Sequence, residues 1–428
     1  VNKLVLSMIL CVMLGGYLAK IGILPQPVKY LPEFLSAVTA LTVFILGAQQ
    51  RFRDVRPAYW FAFAVMALVM ICGALADGIE SGPLVAGLRS YLRAVPFFFL
   101  PAVYAFSDRQ IRSQLLLLLA LGVLQLPIAI NQRYFAMWMG DRSGDYVSGT
   151  LATSGLLSIF LICAACILTG AFLRKRIPFS LFFPLFLLLL APTMINETKV
   201  TVIFLPLGLL TVFLAGSPRG VRLKNTVIAA SLLAVFGAIF VPVYDYFVVQ
   251  RQYGTPIAEF FTDKKKFDSY MGQNARVGTR NIEQIGRLDA LMTPAREMAR
   301  EATRFTFGMG IGNASESSLG AQFTGRHYQD FGLFAQTAVS VFILEIGFLG
   351  LAIVLAINYL IYRDSRAVAD AGVGLWSALA VGWAGAVVVM VAADFYLNTL
   401  ASEMTAYLFW YFSGLIAGER VRLARNTA

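Results

Sequence analysis

The chain has a single histidine, His327, in 428 residues, together with four cysteines and only 14% charged residues. One histidine excludes a multi-histidine metal centre. Four cysteines in so long a chain exclude a disulfide-stapled secreted scaffold. Soluble domains carry about 25% charged residues, so this composition also excludes a soluble globular enzyme and a disordered chain. HExxH, GxSxG, Walker A and EF-hand patterns are all missing, which removes the commonest hydrolytic and nucleotide-binding chemistries. Cys11, Cys72, Cys163 and Cys166 all lie in apolar runs. Cys163 and Cys166 have the CxxC spacing of a redox or metal pair. With no histidine or acid near them in Leu156–Leu173 they read as small helix-packing residues.

What is present is apolar. Hydrophobic residues make up 58% of the chain. Twelve runs approach the length of about 20 residues that spans a bilayer: Leu4–Leu18, Leu31–Leu46, Ala58–Ala76, Tyr91–Phe106, Leu115–Ile130, Val147–Leu173, Phe179–Met194, Val200–Ala215, Thr226–Val249, Phe331–Ile361, Val373–Val391 and Met404–Ala417. The first follows Lys3 without a cleavage signal and reads as a retained span. Fold class is therefore all-α, a polytopic membrane protein with about twelve transmembrane helices. Residues 1–249 hold nine of them, 250–330 form one large loop, and 331–428 hold the last three with a basic tail.

The net charge of +11 sits in short clusters between these runs. With a cytoplasmic N-terminus, cytoplasmic segments hold 17 basic residues, from Lys3 to Arg425, and the short outer loops only 7. That asymmetry follows the positive-inside rule. It explains the charge without a nucleic-acid partner and puts both termini in the cytoplasm. The long polar connection then faces outward. Ile282, Ile285, Leu288 and Leu291 recur there at helical spacing. Thr293-Pro294 reads as an N-cap with proline at N1, and Gly308-Met-Gly310-Ile-Gly312 as a flexible turn.

The outer-face cations carry the functional signal. Arg89 and Arg93, four apart, share a helix face before Pro96 and Pro101. Arginine at membrane depth costs about 2.5–3.5 kcal/mol, unless it snorkels to lipid phosphate. Lys199 sits in the tight turn Asn196-Glu-Thr-Lys199, where Glu197 is its other possible partner. Arg133 and Arg142 flank Trp138, and Arg280 and Arg287 are two helical turns apart. Arg296, Arg300 and Arg304 alternate with Glu297 and Glu301 as on a solvated, ion-paired helix. Outer cations without metal ligands suit a pyrophosphate, because arginine stays charged and presents a fork to phosphate.

At these residues the chain resembles the O-antigen polymerase and O-antigen ligase superfamily. The resemblance rests on about twelve spans with a large outer loop before the last three, and on Arg142 followed by Ser148-Gly149-Thr150. It rests also on Gly286-Arg287-Leu288 followed by Phe307-Gly-Met-Gly-Ile-Gly-Asn313, and on Glu345-Ile-Gly347-Phe-Leu-Gly350, which matches E-x-G-x-x-G. It implies a GT-C-like fold in a bacterial inner membrane, with the active face periplasmic. It also implies metal-independent glycan transfer without a cofactor, from an undecaprenyl-pyrophosphate-linked donor to a lipid-linked acceptor. Arg142, Lys199, Arg287, Arg280, Arg89, Arg93 and Arg133 become candidates for holding pyrophosphate, and His327 or Glu345 for accepting the acceptor hydroxyl's proton. Membrane lipids, chain-length regulators and flippases are the partners implied. Ligases of the superfamily carry a histidine where this chain has Gln336, which favours the polymerase. Arg133 to Gly149 and Arg304 to Gly320 repeat the polymerase spacing of an arginine and a later glycine. Ligation onto lipid A-core, or lipid-linked sugar flipping, are the alternative readings.

Overall fold

A computed structural model describes every residue except 51, 53, 136–145, 197, 218, 219, 221, 250–255, 265–285 and 427–428. In chain order its main helices are α1 (Asn2–Lys20, with a π-helical turn at Cys11–Gly15), α2 (Leu31–Gln50), α3 (Pro57–Asp77), α4 (Ser81–Leu92), α5 (Val95–Val103), α6 (Asp108–Ile130), α7 (Ser154–Leu173) and α8 (Phe179–Ile195). There follow α9 (Thr201–Gly216), α10 (Arg222–Val249), α11 (Ile257–Thr262), α12 (Arg287–Met298), α13 (Ala302–Phe307), α14 (Ala338–Ala371), α15 (Gly374–Asp394) and α16 (Glu403–Asn426). No strand occurs among the described residues. Among the described residues seven helices, carried by α1, α2, α3, α6, α7, α14 and α15, are long and apolar enough to cross a bilayer. The chain is an all-α, multi-pass membrane protein. The apolar helices α8 and α9 have 17 and 16 residues, short of the roughly 20 that span 30 Å.

Local sequence sets the boundaries. The Ser107–Gln110 capping box opens α6, Thr153 caps α7 and Thr337 caps α14. Their side chains supply acceptors for the orphan N–H groups of a first turn. For this reason two helices start later than their apolar runs, at Ser154 rather than Val147 and at Ala338 rather than Phe331. The run Tyr91–Phe106 is not one kinked span. The chain breaks between α4 and α5 ahead of Pro96, which cannot donate within a helix.

Small residues build the centre. α15 packs on α7, α9 and α14, and its sequence is rich in glycine and alanine, as close helix packing in lipid requires. A Cβ on Gly382 would lie 2.4 Å from the Ile167 Cα, and one on Gly170 2.5 Å from the Ala378 carbonyl. Cys166 fills this seam as a packing residue: its sulfur would lie 2.8 Å from a Cβ on Gly208.

At the end of the bundle bearing Arg174 and Arg176, Asp364 of α14 is buried. It accepts from the Arg56 guanidinium and, at 2.8 Å, from the Tyr59 hydroxyl. Asp54 likewise holds Arg422 and Arg425 of α16. Removing one partner of a buried pair costs about 3–5 kcal/mol. Arg56 is 29% exposed, so water screens part of that loss. Asp364→Asn is expected to destabilise the protein by about 2–3 kcal/mol, read as a lower melting temperature in detergent; an unchanged melting temperature would show the pair to be dispensable.

Candidate functional site

The described part of the 250–330 loop is seated on the opposite end of the bundle, and three glycines make this possible. Gly308, Gly310 and Gly312 have φ of 73°, 85° and 80°. The Met309 N–H donates to the Leu344 carbonyl at 2.7 Å, and Met309, Ile311 and Ala314 are buried. The turn is therefore packed rather than flexible: it is wedged between α3, α4 and α14.

Glu345 explains the wedge. It is 1% exposed and accepts from the Ser315 hydroxyl at 2.7 Å and from the backbone N–H groups of Gly312 and Ala314. A buried carboxylate without donors would cost several kcal/mol, and here the turn supplies them. Two residues on, Gly347 has φ 65° and ψ −174°, which breaks the helical backbone inside α14. A Cβ there would lie 2.4 Å from the Thr306 carbonyl. The E-x-G-x-x-G pattern thus clasps the glycine-rich turn. Glu345, the candidate proton acceptor, faces the turn and holds it in position.

His327 has a different setting. Its Nε2 lies 2.9 Å from Oδ2 of Asp77, the last residue of α3, and its ring is 21% exposed. Arg326 and Arg304 hold the same carboxylate at 2.6 and 3.1 Å. Asp77 carries this hub at 6% exposure, and sequence reading passed over it and Arg326. The signal available was an acid directly after the apolar run Ala58–Ala76. Arg304 also pairs with Glu301, and Arg300 with Glu297. The anticipated ion-paired helix is present in its contacts but divided between α12 and α13. Asp77→Asn is expected to loosen the loop by about 1–2 kcal/mol, a charged hydrogen-bond contribution discounted for half-exposed arginines. Faster limited proteolysis of residues 286–331 at unchanged bundle stability would register it, and an unaltered digestion rate would contradict it.

The start of the loop helix departs from expectation. α12 begins at Arg287 with Gly286 as N-cap, and Pro294 lies inside it. The carbonyl of Ala290, which Pro294 cannot serve, accepts instead from the Ser340 hydroxyl at 2.7 Å. Proline therefore creates a joint to α14, where it was expected to open a helix.

Arg287, at the first position of α12, lies over the Tyr396 ring at 5.1 Å. Among the described residues it forms no ion pair. Tyr396 meets Phe204 of α9 edge-on at 5.9 Å and packs beside Gly155 of α7. Ser154, next to Gly155, accepts through its carbonyl from Asn196 at 3.1 Å, and Asn196 also reaches the Thr198 N–H. Lys199 follows directly. On the other flank Gln132 exchanges two hydrogen bonds with the Gly149 backbone, at 2.7 and 2.8 Å, and buried Arg133 is its neighbour. Arg287, Lys199 and Arg133 are thus carried on elements that meet at one rim. Arg142 and Arg280 lie outside the described residues.

Arg89 and Arg93 are engaged elsewhere. Arg89 forks onto Glu33 and reaches Ser318 at 3.1 Å. Arg93 donates to the carbonyls of Leu400 and Ala401, at 3.1 and 2.9 Å. Both join loops to the bundle, a role that competes with holding a substrate anion. His327 does not touch Arg287. Comparison with models of protein families and with curated proteins finds no match for this chain.

Proposed function

We propose that the chain is a GT-C-like membrane glycosyltransferase, a polysaccharide polymerase with twelve spans in a bacterial inner membrane, its termini cytoplasmic and its outer loop periplasmic. It would move a growing glycan from a polyprenyl pyrophosphate carrier onto a lipid-linked repeat. One observation carries the reading: Arg287, which forms no ion pair among the described residues, is held on Tyr396 on an element that meets those carrying Lys199 and Arg133.

In this mechanism the bond between the anomeric carbon and the pyrophosphate oxygen breaks, and the acceptor hydroxyl oxygen takes the carbon. The leaving pyrophosphate gains negative charge as the bond lengthens. Fixed cations at the rim lower that barrier because they interact more strongly with the transition state than with the ground state. The candidate for taking the acceptor proton is His327, on the Asp77 hub rather than against Arg287. With Nε2 donating to Asp77, Nδ1 remains an acceptor, and the carboxylate holds the ring in place.

Deleting the gene and sizing lipid-linked and surface glycans tests the assignment. Single repeats without long chains are the expected result. Long polymer stranded on the carrier would indicate ligation instead, and repeats retained on the cytoplasmic face would indicate a flippase.

A further inference from the structure

A groove of about 740 Å³ runs along the bundle between α6 and α8 on one side and α7, α15 and α16 on the other. Its walls are apolar, with Cys163, Ala164, Leu185 and Trp383 among them. On α15 the lining extends from Leu375 to Met390, about 22 Å at 1.5 Å per residue. One leaflet's half of the hydrocarbon core is about 15 Å deep, so an extended acyl chain fits the groove along its length.

One end of this groove is charged. Arg109 and Arg112 stand on the first turns of α6 and Arg176 follows α7, all three exposed and all lining the mouth. Among the described residues that line the groove, Asp108 is the acid. None of the three arginines forms an ion pair among the described residues. This mouth lies a full α7 length from Ser154, hence at the opposite end from Arg287 and Lys199. A long apolar slot ending in net positive charge matches one kind of molecule: an amphiphile with an anionic head.

We propose that this groove is a binding site for an anionic phospholipid, with its phosphate between Arg109, Arg112 and Arg176 and an acyl chain along Ala164 and Trp383. The site is independent of the glycan-transfer reading. A lipid there would lie along α6, α8 and the central α7–α15 pair, beside the direct side-chain contacts that already join them, such as Phe172 stacked on Phe182. Basic residues near a membrane surface attract anionic lipid headgroups.

Native mass spectrometry of the purified chain, offered equal phosphatidylglycerol and phosphatidylcholine, tests this. Retention of phosphatidylglycerol with a preference of about tenfold or more is expected. The exposed-site variant R109Q/R112Q/R176Q should lose the preference while keeping its elution profile. Ala164→Phe, which fills the slot but leaves the arginines, should reduce retention of phosphatidylglycerol as well. Equal retention of the two lipids would overturn the proposal, as would a preference that survives the triple substitution. Displacement of phosphatidylglycerol by inorganic phosphate alone would reassign the arginines to a soluble anion and overturn it too.

Discussion

Arg287→Ala is expected to abolish long-chain polymer while the protein accumulates at the normal level. The folding half of this expectation follows from what Arg287 touches. Its side chain is half-buried at the first position of α12, the N-cap is Gly286, and among the described residues its partner is the Tyr396 ring. A cation–π contact of this kind contributes about 0.5–1 kcal/mol at a partly exposed site, too little to unfold the bundle. The activity half follows from charge. Removing one preorganised group that stabilises transition-state charge costs about 2.7–4 kcal/mol, or 10²–10³ in rate. Arg287→Lys keeps the charge but loses the planar fork, so short chains and partial turnover are expected from it. Arg300→Ala, 76% exposed and paired only to Glu297, serves as the control and should make normal polymer. Glycan ladders on gels, alongside immunoblots for the chain, would read all three. Normal ladders from Arg287→Ala would remove the main support for the assignment.

The sequence made the helices legible because lipid imposes one rule on every span, and apolar length follows it directly. Boundaries were less legible where polar caps lie inside apolar runs, as at Thr153 and Thr337. The site was harder to read for a physical reason. Arg89 and Arg287 are equally basic in sequence, and only Glu33 distinguishes them, a carboxylate 56 residues before Arg89. Asp77 is 250 residues from His327. Pro294 was read from its local helix rules, but its effect depends on Ser340 of another helix. Local pattern fixes where a helix begins; partner choice among charges is decided by packing across the chain.

Glycine spacing was legible as a pattern while its cause was not, and Gly312→Ala tests that cause. Three costs coincide at this position. At φ +80° an alanine pays about 1–2 kcal/mol for the left-handed conformation. Its Cβ would lie 2.0 Å from the Pro83 carbonyl oxygen and 2.9 Å from the Gly87 N–H. Both are backbone atoms of α4 and cannot rotate away, so the turn must lift from the bundle. Lifting withdraws the Gly312 N–H from buried Glu345, and an under-satisfied buried acceptor costs about 1–3 kcal/mol more. Together these approach a large share of the about 5–15 kcal/mol that holds a native protein together. Gly312→Ala is therefore expected to fail to accumulate, or to melt far below the wild type in detergent. Gly16→Ala is the contrast, because its Cβ would meet nothing within 4 Å and it sits in helical backbone, where alanine is favoured by about 0.5–1 kcal/mol. A Gly312→Ala protein with the wild-type melting temperature would mean that the loop does not rest on α4. The clasp between Glu345 and the glycine turn, whose last residue Asn313 accepts from the His327 N–H at 2.9 Å, would then lose its role in placing His327.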